Sequence, residues 1–307
     1  MIKNTQSTSK KRQRWLAIAS IILVALCYVI LSMVSRILEP GFGDYTQVYM
    51  RISIGTVVAL ILFRRHITWS NFTRLTLKDW FGITLMGVVG YGLVVAALTI
   101  GVLNTTLINT SIIYATVPVF VYLFSLPLLK RKPELTKIVL VLISLWGVGM
   151  ISSNSLIPRL EGINRGDWWV LFGAACGSLY VIGRKLVSNR LNNRELALIV
   201  MVLAALTTFV LAMGNGERID WRVFSTTSIL VGLVIGSALN IAATFLENYG
   251  FKILDETFAA QLLMFESVFA LVLGRLFYAE VISSTQMLGM LFVSASLLVM
   301  SRVTTKI

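Results

Sequence analysis

The sequence predicts an all-α polytopic membrane protein, ten transmembrane helices arranged as two inverted five-helix repeats. Three observations carry that expectation. Hydrophobic residues make up 57% of the 307 and charged residues only 13%. Apolar runs long enough to cross a hydrocarbon layer recur from end to end, with no long hydrophilic block from which a soluble domain could form. Lys and Arg gather in alternate loops, the asymmetry expected of a chain threaded back and forth through a bilayer.

The spans fall at roughly 15–35, 45–63, 80–100, 107–129, 136–151, 167–187, 195–212, 228–250, 257–278 and 283–301. The first follows Lys10, Lys11, Arg12 and Arg14. Its apolar run is about twice the length of a signal-peptide h-region and lacks a small-residue cleavage site, so it reads as a retained helix. With the N-terminus inside, the cytoplasmic loops hold Arg64, Arg65, Arg74 and Lys78, then Lys130, Arg131, Lys132 and Lys137, then Arg184, Lys185, Arg190 and Arg194. The opposite face holds only Arg36, Arg159, Arg165, Arg218 and Arg222. Both termini are therefore expected on the cytoplasmic side of the cell membrane. The net charge of +13 follows this rule and gives no reason to expect nucleic acid as a partner.

Ten spans divide into two sets of five, and an odd set inverts the second half relative to the first. A shift of 149 residues pairs Gly101 with Gly250, sets Pro118-Val119-Phe120 against Ser267-Val268-Phe269, and lays the fourth span on the ninth. The expected organisation is a basic tail at 1–14, a first repeat at 15–151, an external linker at 152–166, a second repeat at 167–301 and a C-terminal tail at 302–307. In inverted-repeat carriers the binding site lies near the midplane between the halves.

Five features could carry chemistry there. Glu266 sits about 14 Å into the ninth span, where an acid has to be protonated, paired or facing water. It could take a proton or a substrate cation, or form a structural pair with Arg51 or Arg275. Arg51, two turns inside the second span, could grip a carboxylate, serve an external gate, or snorkel to the headgroups. Arg275, close in sequence to Glu280, suits a gate or interface pair. Polar stripes at Tyr28, Ser32 and Ser35 and at Asn240, Thr244 and Glu247 face either a cavity or neighbouring helices. Asn240, Gln261, Asn109 and Tyr114 are the deeper cavity candidates, whereas Glu247, in the last turn before the cytoplasm, is expected in solvent. Pro118 should kink the fourth span and could act as a hinge. A cavity lined by spans one, two, four, eight and nine is the expectation.

The chain resembles the EamA-type ten-helix proteins of the drug/metabolite transporter (DMT) superfamily over nearly its whole length. The likeness rests on the ten-span plan, on Tyr114-Ala-Thr-Val-Pro118-Val-Phe120, on Glu266-Ser-Val-Phe269 with Tyr278-Ala-Glu280, on Arg51 in the second span and on Arg36 at the end of the first. Tyr28 stands where many members have a Trp-Gly pair, Ser267 where the second repeat has proline, and Arg131 where the first repeat has glutamate. The resemblance implies secondary transport of a small polar metabolite by alternating access, with protons as one coupling option. An amino acid would suit Glu266 and Arg51 together. A non-transporting scaffold, a channel or a lipid-binding membrane protein is the alternative.

Enzymatic readings find little footing. His66 lies in a loop, no span carries a metal-ligand set or a nucleophile beside a base, and no phosphate-binding GxxxxGK[ST] occurs. Cys27 and Cys176 both fall in apolar segments without metal-site spacing. No cofactor or metal is expected; the partners are a metabolite, membrane lipid and, as an option, protons, with no oligomer required.

Overall fold

In the computed structural model, the described residues are 2–105, 107–160, 164–219, 221–278 and 282–304, and all the regular structure among them is helical. The first half comprises α1 (Ile2–Leu38), α2 (Asp44–Phe63), α3, α4 and α5 (Leu135–Ser153). Within α3, Leu77–Thr84 passes through a π-helical stretch, Leu85–Leu93, into Val94–Leu103. α4 is broken into α4a (Leu107–Tyr114) and α4b (Val117–Leu128). The second half repeats the plan as α6 (Arg165–Leu186), α7 (Asn193–Gly214), α8 (Thr227–Ile253), α9a (Glu256–Leu263), α9b (Phe265–Tyr278) and α10 (Ser284–Val303).

Eight stretches are long and apolar enough to cross a membrane, and α4 adds a shorter apolar helix at Ile112–Leu128. α6 completes the ten. Its Asp167, Arg184 and Lys185 lower its hydropathy, yet its other side chains bury a continuous face.

Helix starts are written in local chemistry. Thr76 with Asp79, Asn164 with Asp167, Asn192 with Glu195, and Ser283 with Gln286 each form a capping box, so free amides at the starts of α3, α6, α7 and α10 are satisfied reciprocally. The 149-residue shift lays α7 to α10 on α2 to α5 to within about two residues at each end, and lays α6 on the C-terminal part of α1, which starts earlier at Ile2. The packing follows the same symmetry by interleaving the halves. α1 packs on α8 and α3 on α6, while α2 meets α7 and α5 meets α10. Every one of these interfaces joins the two repeats, so neither half buries its polar face alone.

The α5–α10 contact shows how close the approach is. A Cβ on Gly147 would stand 2.7 Å from the Gly289 carbonyl oxygen, and one on Gly289 would stand 2.6 Å from that of Gly147. Only glycine lets these backbones meet. Beside them Ser144 and Ser296 hydrogen-bond to each other in a buried pair.

The outer faces are apolar, and the interior combines a hydrophobic core with buried polar side chains. Val57, Ile61, Leu206, Val210, Leu291 and Leu298 are exposed on the outer faces, whereas Asn248, Gln261, Ser144 and Arg51 are buried. Trp168 and Trp221 are exposed near helix ends and Trp15 near the start of the apolar stretch of α1, as interfacial anchors would be. The Arg14 guanidinium donates to the Ser301 carbonyl at 2.5 Å and to the Thr304 hydroxyl at 3.1 Å, tying α1 to the end of α10. Both termini therefore share one end of the bundle, called here the termini end.

Candidate functional site

A cavity of about 630 Å³ lies between the halves, within the range of small-molecule sites. Seven helices line it: α1, α3, α4, α5, α6, α8 and α9. α2 contributes no lining residue among those described, which corrects the expected wall composition. Toward the end opposite the termini the lining reaches Ile151 and Ser152 in the last turn of α5. Toward the termini end it stops at Phe251 and Ala260.

Two of the helices that line the cavity, α4 and α9, are broken beside it. Pro118 does not kink a continuous helix as expected; it sits at the second position of α4b, and the break lies one turn earlier at Ala115–Thr116. The reason is that a proline ring clashes with the carbonyl four residues back, that of Tyr114, where α4a ends. Ninth-helix residues break at Met264 with no proline present, at the position equivalent to Ala115 under the 149-residue shift. Irregular backbone at membrane depth is tolerated where it borders a cavity, and Ala115 and Met264 both line this one.

Glu266, Tyr28, Tyr114 and Pro118 line the cavity together, as the sequence suggested. Glu266 is partly buried in the first turn of α9b, and no hydrogen bond reaches it from any described residue. Tyr28 donates to Glu247 Oε1 at 2.5 Å. Glu247 itself is the principal correction: expected in solvent, it is 6% exposed and lines the cavity. α8 runs on to Ile253, well over a turn beyond it, and α1 and α6 close over the side chain with Tyr28 and Tyr180. Tyr180 and Tyr91, neither singled out in the sequence, complete an aromatic wall. The Tyr91 hydroxyl donates to Asn240 Oδ1 at 2.6 Å, and these two residues are themselves 149 positions apart, so the contact falls between equivalent points of the two halves. At Gly90 a Cβ would stand 2.6 Å from the Tyr180 backbone nitrogen; its absence lets α3 and α6 meet at the cavity wall.

The other expected site residues lie elsewhere. Arg51 is 6% exposed and does not line the cavity; its Nη1 donates to Ser35 Oγ at 3.0 Å and to the Leu31 carbonyl at 3.4 Å. Its stem crosses Gly236, where a Cβ would stand 2.5 Å from Arg51 Cδ, so it is clamped between α1 and α8 rather than snorkelled to the surface. Arg51 and Glu266 thus do not share one cavity. Asn240 accepts from Tyr91 and donates to the Gly236 carbonyl at 2.8 Å, standing behind the wall. Gln261 turns to α5, donating to the Leu140 carbonyl at 3.0 Å and Ser144 Oγ at 2.5 Å. Asn109 donates to Asp167 Oδ1 at 3.2 Å, joining α4a to the capping box of α6. Arg275 is exposed near the end of α9b; Glu280 lies outside the described residues, as does the side chain of Arg36.

Beyond the cavity, at the termini end, charged side chains join the repeats. Arg131 grips the buried Glu256 with two bonds, Nε to Oε1 at 2.6 Å and Nη2 to Oε2 at 3.0 Å. Lys137 bridges Asp255 at 2.7 Å and Glu134 at 3.0 Å. Hydrogen bonding to Glu256 holds the Arg131 guanidinium above its ordinary pKa, so it stays charged. Asp255 also caps α9a, accepting from the amides of Thr257 and Phe258 at 3.1 Å. In the sequence these cations read only as topological charge, because nothing local reveals that an acidic pair more than a hundred residues away meets them.

The EamA-like transporter family model matches residues 15–153 and 164–302, two segments offset by the same 149 residues. No curated protein matches the chain. Among solved structures, a protein crystal structure superposes with a TM-score of 0.73 at 15% sequence identity, covering 96% of this chain and 98% of the other. At that identity the likeness is one of fold alone.

Proposed function

Since the chain belongs to the EamA-like transporter family of integral membrane proteins, we propose that it is a secondary active transporter moving a small polar metabolite by alternating access. The observation that carries this reading is the midplane cavity between two interleaved repeats, with both of its broken helices at the same depth. Rocking one repeat against the other would transfer access from the end where Ile151 and Ser152 lie to the end closed by Arg131, Lys137, Asp255 and Glu256. Residence in the cell membrane with cytoplasmic termini is supported by the Lys and Arg asymmetry. Glu266 and Glu247 offer sites for proton coupling.

An amino acid substrate was attractive while Arg51 stood ready for its carboxylate. With Arg51 held by Ser35 and Leu31, that support is gone, and the wider class of polar metabolites stands. Purified protein in liposomes preloaded with unlabelled solute should show saturable counterflow of at least one member of a broad metabolite panel. Absence of counterflow across the panel would refute the carrier and favour a scaffold.

A further inference from the structure

The chemistry of the cavity wall narrows the substrate, given the transporter reading above on which this step rests. Two carboxylates, Glu266 and Glu247, line the cavity, and no Lys, Arg or His does so among the described residues. Two nearby buried guanidiniums stand outside the lining, each bonded to the protein through one nitrogen, with Arg51 Nε left without a hydrogen-bond partner. Arg51 donates to Ser35 and the Leu31 carbonyl, and Arg184 Nε donates to the Asn248 carbonyl at 2.9 Å. Among the described residues, no cationic side chain of the lining faces a substrate anion.

The two acids differ in what they lack. Glu247 accepts from Tyr28, whereas Glu266 accepts no hydrogen bond from any described residue. A carboxylate held at membrane depth without a donor or a counter-charge calls for a positive charge from the substrate, which an amine supplies with an N–H and a quaternary ammonium without one. Counted from the adjoining helix ends, Ile253 and Glu256, the two acids lie about 9 and 15 Å inward, an axial offset of about 6 Å. Around them stand Tyr28, Tyr91, Tyr114, Tyr180 and Phe251. The first, second and fourth of these turn their hydroxyls to Glu247, Asn240 and Asn248, so the hydroxyls are spent on the protein and the rings form the wall. Ring faces attract ammonium groups, and Leu263, Met264 and Leu271 offer apolar surface for the remainder of a ligand.

We infer that the cavity takes an organic cation, an amine or quaternary ammonium whose nitrogen is held by Glu266, with Glu247 as the deeper acid, and whose apolar body lies against the aromatic wall. Anions are repelled by both carboxylates. A zwitterion fits poorly, because its own carboxylate meets like charge and no donor cation.

The test is a matched series in counterflow, using a membrane-impermeant arylalkyl trimethylammonium, an aromatic amino acid, an arylalkyl carboxylate and a neutral aryl glucoside. The ammonium should show saturable exchange with a half-saturation at least tenfold below any other member. Glu266→Gln should raise that value at least tenfold and Glu247→Gln should raise it too, in protein that remains monodisperse. The wild-type selectivity order stands as evidence even if a variant fails to fold. Preference for the carboxylate, the amino acid or the glucoside would overturn the cation assignment while leaving the carrier intact, as would an unchanged half-saturation in folded Glu266→Gln. No exchange of this series or of the broad metabolite panel would overturn both.

Discussion

Replacing Arg131 by Gln tests whether the charged lattice holds the termini end shut. The wild-type arginine makes two charge-assisted bonds to Glu256, at 2.6 and 3.0 Å. The Glu256 side chain is 2% exposed and that of Arg131 52%. Breaking a fully buried pair by removing one partner costs about 3 to 5 kcal/mol, and an exposed pair contributes about 0 to 1. A pair buried at one end only falls between, at about 2 kcal/mol, which is a shift of roughly 30-fold toward the conformation open at the termini end. Ala260 reports that opening. It is 1% exposed and marks the termini end of the cavity. In a background lacking Cys27 and Cys176, Ala260→Cys should react slowly with an impermeant maleimide applied from the termini side, and Arg131→Gln should accelerate labelling about 30-fold. The charge-swapped pair, Arg131→Glu with Glu256→Arg, should restore only part of the protection. An arginine at the first residue of α9a opposes the helix dipole at a cost of about 0.3 to 1 kcal/mol. Labelling that stays at the wild-type rate in Arg131→Gln would show that the lattice does not govern access, and the interpretation would be abandoned.

Two further outcomes separate packing from binding. Gly289→Ala places a Cβ 2.6 Å from the Gly147 carbonyl oxygen, and because the clash is with backbone no rotamer relieves it. The α5–α10 contact should weaken by about 1 to 3 kcal/mol, read as a lower melting temperature in detergent; an unchanged melting temperature would mean that the helices part easily there. Gln261→Met removes an amide facing Leu140 and Ser144, along with an Oε1 that is buried without a hydrogen-bond partner, and Ser144 keeps Ser296. Substrate half-saturation should stay within about twofold, since hydrophobic replacements of similar volume are well tolerated. A tenfold rise would return Gln261 to the binding site.

The helices were legible because each is specified locally. Apolar length sets a span and the basic loops order the threading, so the ten-helix plan and the 149-residue repeat could be read from the sequence; capping boxes mark the starts of α3, α6, α7 and α10. Glu266 was legible for a related reason, since an acid at mid-span needs an explanation wherever its helix packs. The break after Tyr114 could have been placed from Pro118 by the four-residue reach of the ring. Its partner at Met264 could not, because no residue there breaks a helix by itself.

Which polar side chains meet was decided by the interleaving of the repeats. Arg51 and Glu266 look like a pair in sequence, yet the passage of Arg51 across Gly236 turns the guanidinium to α1, away from the cavity. Glu247 looks like a solvated helix end, yet Tyr28, 219 positions earlier, binds it inside the bundle. The same is true of Arg131 with Glu256. Amino-acid order thus determined that this chain crosses the membrane ten times and that a midplane acid needs a partner. Only the tertiary structure determined that, among the described residues, the cavity is lined by two acids and no base. A side chain's depth follows from position along its own helix, but its orientation follows from the helix packed beside it, and here that helix belongs to the other repeat.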